Sequence, residues 1–544
     1  MSATVPRLGR GMARAALAIA AVTVAARAVG LLRQVVLAHT VGPTYLGNTY
    51  QTANALPTIL FEVAAGGALA GLVIPVLAAA HERGDRETVG RIVGGLLTWA
   101  VVLLTPVMLV GLLARRPLMS ALVGDVADPA LRAAEIEVGG RMLLVFLPQV
   151  LLYGVGIVVT GVLQMHRRFL APALAPLLSS VVVIVAYLLY AARAPVNQSL
   201  SELSRAEELT LSVGTTLGVV ALTLPLLWPL RRLRLHVRPT LRLPVGVGRQ
   251  VRALAAAGAA AVAAQQGALL VVLYLANPEA GAVIVYQLAF TAYLLPWAVL
   301  AVPIATSAFP ELASRAAAQD VAGFGQAAAA ASRAVVVGSL AATALLLAVA
   351  APAARLLLGS QGGGTANPTD LAAAIATFAP GLAGYALVTL VSRALYARGE
   401  TRFPALMTVL GFAVVAVADV VLVSALRASD LSPGWTVAAL GAGNTLGMTV
   451  AGCALVAGLR ARAGRGAVAG LGRSAAAAAA AALVAASLGA SLSHVLGGTS
   501  TLASLATLLT AGLVASIAFV GVAHALGLPE LALARRLLPV RFRA

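Results

Sequence analysis

Three charged side chains sit deep within apolar runs: Arg27 and Arg33 in AALAIAAVTVAARAVGLLRQVVLAHT, and Glu62 in YQTANALPTILFEVAAGGALAGLVIPVLAAA. Each run exceeds the ~20 residues with which a helix crosses a bilayer. A charge at that depth costs about 2.5–3.5 kcal/mol on insertion scales, so such groups face a polar cavity or a partner rather than lipid. A guanidinium is a planar fork of donors suited to phosphate. Arg27 and Arg33 differ by about 240° around a straight helix. Gly30 between them offers a bend that would turn both towards one cavity. The other reading of Arg33 is snorkelling to the interface from the end of its span. Glu62 fits a proton site or an ion pair with an arginine of the first run. The small residues beside it, with Gly66 and Gly67 among them, let helices approach closely and suit a sliding contact.

The second half of the chain carries fewer such groups. Asp419, in FAVVAVADVVLV, is its clearest acid within a span, and with Asn444 it forms a candidate cation or proton site. The seventh span offers only Gln265 and Gln266 as polar partners for it. Arg393, in VTLVSRALYARG, lies deepest of the remaining arginines, with Arg141 and Arg333 also within or near spans. Cavity lining and hydrogen bonding between helices are both open for these three. Pro296 and Pro303 remove backbone bonds from the eighth span and predict a kink, either a hinge or a static packing feature. The chain has no HExxH, no Walker loop and a single cysteine, and its six histidines are scattered. An enzyme, a cofactor and a firm metal site are therefore not expected. Cys453, inside an apolar run, reads as a core-packing thiol.

The elements that position these residues follow from composition. Of 544 residues 60% are hydrophobic and only 10% charged, with a mean hydropathy of +0.95. Soluble proteins are about 25% charged, so the fold class expected is an all-α membrane protein. Fourteen apolar segments of spanning length are predicted: 15–40, 48–80, 88–114, 134–163, 170–192, 209–230, 251–275, 281–312, 327–357, 371–397, 403–426, 435–459, 474–496 and 502–528. The net charge of +19 comes from arginine without lysine. Those arginines cluster at the N-terminus, in the loops after even-numbered spans and in the C-terminal tail, which predicts that both termini are cytoplasmic. The basic charge thus reports topology, and nucleic acid is not an expected partner.

The chain also repeats itself. FLPQVLLYG and FAPGLAGYA place Pro148 against Pro380 (380 − 148 = 232), and IPVLAAAHERGD and FPELASRAAAQD place Asp85 against Asp320 (320 − 85 = 235). An offset of six spans preserves orientation, so two six-helix lobes related by a pseudo-twofold axis along the membrane normal are expected, a known transporter design. The division expected is 1–240, 241–460, and 461–544 carrying two additional helices and a cytoplasmic tail.

With these residues in view the chain resembles the MurJ/MviN family, lipid II flippases of the multidrug/oligosaccharidyl-lipid/polysaccharide exporter superfamily. The matching pieces are ARAVGLLRQVVLA (26–38), NALPTILFEVAAGGALAGLVIPVLA (54–78), VLQMHRRFLAPALAPLLSSVVVI (162–184), LLPWAVLAVPIATSAFPELA (294–313) and SRALYARGETRFPAL (392–406). The resemblance implies a multi-pass protein of the bacterial plasma membrane that moves an undecaprenyl-pyrophosphate-linked disaccharide-pentapeptide outward by alternating access. It also implies that the last two helices line a groove for the lipid tail. It places Arg27 and Arg33 among the family's cavity arginines, Asn48 where an acid often stands, and Asp419 where some members have a sodium ligand. Cell-wall synthesis or division proteins are the partners it implies. The sequence departs from the pattern at Phe61 and Thr291, where members carry basic residues, and at Gly66, where a glutamate is expected. The alternatives are an exporter of another polyprenyl-linked glycan or amphipathic molecule, and a non-transporting membrane scaffold.

Overall fold

The computed structural model describes residues 10–66, 73, 76–78, 80–195, 197–241, 247–359, 366–429, 434–498 and 500–530, and among them it contains helices and no strand. The chain divides into two compact units. One holds Met1–Gly42, Thr49–Val123 and Ala127–Ala263, and the other Pro43–Asn48, Gly124–Val126 and Ala264–Ala544.

In the first unit the helices are α1 (Arg10–Thr40), α2 (Tyr45–Phe61), α3 (Arg86–Leu113), the short α4 (Arg115–Val123), α5 (Pro129–Phe146), α6 (Gln149–Met165), α7 (Leu170–Ala191) and α8 (Arg205–Arg231). The first turn of α2, through Asn48, belongs to the second unit, and α9 (Val247–Ala276) passes from one unit to the other. The second unit continues with α10 (Ala282–Pro296), α11 (Val302–Ala317), α12 (Val321–Leu358), α13 (Pro368–Phe378), α14 (Gly381–Ala397), α15 (Arg402–Ala428), α16 (Trp435–Ala463), α17 (Leu471–Val495) and α18 (Thr501–Ala525). Among the described residues eleven helices are long and apolar enough to span a membrane, and up to thirteen if each of two bent pairs counts as one span. The expected span 48–80 is described as α2 and a π turn, Glu62–Gly66. Gly67 lies outside the described residues.

The internal repeat is written into the breaks and caps. The bent pairs are α5–α6, broken by 40° before Gln149, and α13–α14, broken by 44° before Gly381. Pro148 and Pro380 stand at these two breaks, where a ring without an N–H cannot continue the ladder. A second π turn, Trp297–Ala301, follows Pro296 and matches Glu62–Gly66 at the upstream offset (297 − 62 = 235). Asp85 caps α3 by accepting from the Thr88 amide at 2.9 Å, and Asp320 caps α12 through the Gly323 amide at 2.8 Å. Thr88 also holds the Asp85 carboxyl below the usual carboxylate range.

In the first unit, Phe61, Val93, Leu96, Leu104, Val150, Val158 and Val162 form one core. The segment after α8 lies along α3: backbone of His236 and Arg238 closes on Gly90 and Gly94, and Thr240 donates to the Thr98 hydroxyl at 3.1 Å. In the second unit α14 and α16 meet at Gly384 and Gly452, where backbone replaces any side chain. The last two helices pack on α12 through alanines, with Ala344 and Ala348 against Ala478, Ala481, Ala485 and Ala515. Large apolar side chains left on the surface, such as Leu113, Val421, Leu513 and Ile517, suit hydrocarbon rather than water. Cys453, expected to pack in the core, instead lies exposed on α16. A helix apolar on every side gives no periodic signal to separate core from lipid face.

Candidate functional site

In the first unit α1 runs unbroken through Gly30, so Arg27 and Arg33 stay on different sides of it. Arg27 is exposed and Arg33 half-buried. Among the described residues neither makes an ion pair. Around Arg33 lies a hydroxyl-rich wall. The phenols of Tyr50, Tyr153 and Tyr187 stand near this arginine. The Tyr50 hydroxyl is 2.9 Å from that of Tyr187 and 2.6 Å from that of Thr215. Beside it the Gln149 amide donates to Thr216 at 2.7 Å. The Tyr50, Tyr187 and Thr215 side chains are buried and bonded to one another, so they brace the helices around Arg33.

Glu62 is half-buried in its π turn and makes no ion pair among the described residues. Its carboxyl covers Gly66, in the volume a β-carbon there would need. Phe61, where the family pattern has a basic residue, packs on Tyr153 with ring centroids 5.8 Å apart.

In the second unit the Arg393 guanidinium donates to the Thr306 hydroxyl on α11 at 2.5 Å. Trp297, first residue of the π turn after Pro296, donates to Thr389 at 3.0 Å. Asp419 is fully buried, and among the described residues neither of its oxygens has a hydrogen-bond partner; the Asn444 side-chain nitrogen and the Gln266 side-chain oxygen are likewise buried without one there. Ala268 of α9 packs with Val415 and Met448, one turn from Asp419 and Asn444 respectively. A buried carboxylate on α15 that reaches Gly443, next to Asn444 on α16, suits a monovalent cation or a proton. The site holds no group of three or more metal-ligating side chains among the described residues.

Asn48 is fully buried, and its side chain is engaged with the α9–α10 turn. The amide nitrogen donates to the Glu279 carbonyl at 2.6 Å and the Asn277 carbonyl at 3.3 Å, and the amide oxygen accepts from the Val283 N–H at 3.1 Å. Arg141 and Arg333, left open between two roles, are engaged in ion pairs. Arg141 bridges Glu208 at 2.7 Å and Glu137 at 2.8 Å, and Arg333 meets Glu530 at 2.8 Å. Sequence reasoning missed three acids. Glu135 is fully buried, with Thr49 donating to one oxygen at 3.2 Å. Glu208 is buried between Arg141 and Arg205. Glu279 receives the Thr436 hydroxyl. All three sit near span ends, where an acid in the sequence reads as solvated; the available signal was an arginine left to match at Arg141.

Comparison with known proteins follows the same lines. A family model described as lipid II flippase MurJ matches residues 37–511. A probable lipid II flippase MurJ of Haemophilus influenzae is 35% identical over 106 residues, 19% of this chain and 20% of that protein. The lipid II flippase MurJ of Burkholderia cenocepacia is 24% identical over 176 residues, 32% of this chain and 33% of its own. The matched stretch thus spans a third or less of these curated relatives. Among solved structures, a lipid II flippase MurJ in an inward closed conformation superposes with a TM-score of 0.72 at 14% identity, covering 93% of this chain and 98% of that one. An inward-facing transporter of the multidrug resistance MATE family gives 0.65 at 16% identity, covering 80% and 94%. These structural likenesses establish the fold, an all-helical membrane architecture. The family model spans most of the sequence, and the chain belongs to the lipid II flippase MurJ family.

Proposed function

We propose that this protein carries a lipid-linked peptidoglycan precursor, an undecaprenyl-pyrophosphate-linked sugar-peptide, from the inner to the outer leaflet of a bacterial plasma membrane by alternating access. The observation that carries this reading is the contrast among arginines. Arg141 and Arg333 are matched by acids, whereas Arg27 and Arg33 make no ion pair among the described residues and face partly open surface. An unmatched guanidinium within a span is costly unless an anionic ligand completes it. In this reading Arg27 and Arg33 hold the diphosphate, the buried Tyr50–Tyr187–Thr215 network backs Arg33, and Glu62 and Arg393 contact the polar head. Asn48 positions the start of α2. Asp419 with Asn444 binds the coupling cation or proton, and Gly66, Gly67 and Pro296 serve as conformational hinges.

The topology proposed is the one the arginine bias supports, with both termini cytoplasmic. Residues 1–240 and 241–460 act as the two moving lobes, and 461–544 supply the helices beside which the polyprenyl tail stays in lipid. Cell-wall synthesis or division proteins are the partner class for handing the precursor on.

Complementation of a flippase-depleted bacterium by the intact chain and by Arg27→Ala, at equal membrane levels, tests the proposal. Rescue by the first alone supports it; rescue by both removes the arginines from the mechanism. A second reading, transport of another polyprenyl-linked glycan, is favoured by one observation, the aromatic packing of Phe61 where the family pattern has a charge. Failure of both chains to rescue, with normal expression, selects it.

A further inference from the structure

In the second unit, the turn from α11 to α12 and the end of α14 enclose a pocket of about 520 Å³, within the range of small-ligand sites. Arg315 and Ala316 line it from the last turn of α11, Gln319 and Asp320 from the turn itself, Phe324 from α12, and Arg398 from the residue that caps α14. The acids nearby are already committed. Arg315 meets Glu311 at 2.7 Å and Asp320 at 3.7 Å, and Asp320 also caps α12. Glu400 pairs with Arg462 at 2.5 Å. Arg398 makes no ion pair among the described residues. One of its terminal nitrogens donates to the Arg462 carbonyl at 3.0 Å, and its guanidinium lies 5.3 Å from the centre of the Phe324 ring. Its Nε is buried and has no hydrogen-bond partner among the described residues. A buried donor without an acceptor is costly, more so on a charged group, unless a ligand supplies the acceptor.

The internal repeat gives this pocket a counterpart, and the counterpart is built differently. At the offsets found in the sequence, Ala316 matches His81 (316 − 81 = 235) and Arg398 matches His166 (398 − 166 = 232). His166 and Arg398 cap α6 and α14 alike. In the first unit the two imidazoles meet edge to face, with ring centroids 4.7 Å apart. In the second unit a methyl group stands in place of one ring and a guanidinium in place of the other, and the pocket lies between them. Gln319 matches Gly84 (319 − 84 = 235), and both are in the left-handed region, at φ 56° and 70°. Glycine adopts that conformation freely, whereas glutamine is strained in it. The second repeat keeps the strain and gains a side-chain amide at the rim of the pocket. Strain of this kind collects at functional sites.

We propose that this pocket binds the phosphate of an anionic phospholipid headgroup. The Arg398 Nε–H and the Gln319 amide donate to the phosphate oxygens, a role for which a guanidinium fork is well shaped. Phe324 and the alanines of α11 bear on the glycerol and the first methylenes. The lining residues stand at the ends of spans, level with headgroups, and the apolar part of the lining suits a lipid ester better than free phosphate. The bound headgroup ties the end of α14 to the α11–α12 turn.

Native mass spectrometry of the purified full chain, stripped of lipid and titrated with dioleoylphosphatidylglycerol, tests the site. One lipid is expected to bind at least about tenfold more tightly than the rest. Arg398→Gln should abolish that difference. Ala316→His should do the same while keeping Arg398, because it restores the ring of the first unit at the matching place. Arg460→Ala removes a charge from the end of α16, outside the pocket, and should leave the tight lipid bound. Gln319→Gly should weaken binding and raise the melting temperature, opposite signs that a merely structural role would not produce. Retention of the tight lipid in both Arg398→Gln and Ala316→His, or its equal loss in Arg460→Ala, overturns the site. Dioleoylglycerol, which lacks the phosphate, should not bind there; equal binding overturns the anion. Inorganic phosphate in excess should fail to displace the lipid, and full displacement assigns the pocket to free phosphate and overturns the lipid source.

Discussion

The carboxyl of Glu62 lies over Gly66, four residues along the same π turn, and fills the space of the missing β-carbon. Gly66→Ala would therefore displace Glu62 rather than the backbone, because the atoms in the way are the far end of a flexible side chain. Transport should drop in Gly66→Ala and in Glu62→Gln to a similar degree. The double variant should be no worse than either single one, which a double-mutant cycle would read as a coupling of about 0.5–3 kcal/mol. Gly30→Ala, with open space around its position, should be tolerated.

Charge at Arg27 and Arg33 should matter more than size. Hydrogen bonds to charged groups contribute about 1.5–3 kcal/mol, so each Arg→Ala change is expected to weaken precursor binding by about 10- to 100-fold. Arg→Lys keeps the charge and loses the bidentate fork, and should fall between. Binding of a fluorescent or radiolabelled lipid diphosphate to purified protein measures this directly. Equal affinity for all three side chains would exclude a role in holding the anion.

Asp419 makes a different prediction. A cation bound at about 100 times its dissociation constant stabilises the folded chain by about 2.7 kcal/mol. Raising sodium at constant ionic strength should lift the melting temperature of the natural protein and leave Asp419→Asn unmoved. If neither responds to sodium but the natural protein alone responds to pH, the ligand is a proton. Gly443→Ala puts a β-carbon into the Asp419 carboxyl, with the Asp419 backbone nitrogen only 3.1 Å away. Overpacking of this kind costs about 1–3 kcal/mol, and the same melting experiment would show it.

The contact between α14 and α16 should be equally intolerant. A β-carbon on Gly452 would lie 2.9 Å from the Gly384 carbonyl oxygen, and backbone cannot swing aside as Glu62 can. Gly452→Ala and Gly384→Ala are each expected to lower stability by about 1–3 kcal/mol. Gly338→Ala, with nothing within 4 Å of the new carbon, serves as the control in the same thermal assay.

Much of this architecture was legible in the sequence because it is carried by residues whose chemistry is local. Pro148 and Pro380 cannot continue a helix, and Asp85 and Asp320 cap one, so the repeat shows wherever they recur. Arg27 and Arg33 stood out because a charge among alanines and valines has no ordinary explanation. Burial on a given helix face was not legible. Cys453 and its neighbours are apolar all round, and only packing decides which of them meets lipid. The ion pair of Arg141 with Glu208 and the grip of Asn48 on Glu279 join positions 67 and 231 residues apart, which spacing along one helix cannot reveal.

The two π turns carry a mechanical consequence. A π turn accommodates one residue more than the α turn it replaces, and one residue corresponds to about 100° of rotation. Glu62–Gly66 and Trp297–Ala301 therefore each hold a stored twist, placed at matching points of the two repeats. Converting either to α geometry would rotate the helix beyond it by that angle with little change in length. Side chains would pass from one face to another as on a turned key, with no helix pulled out of the membrane.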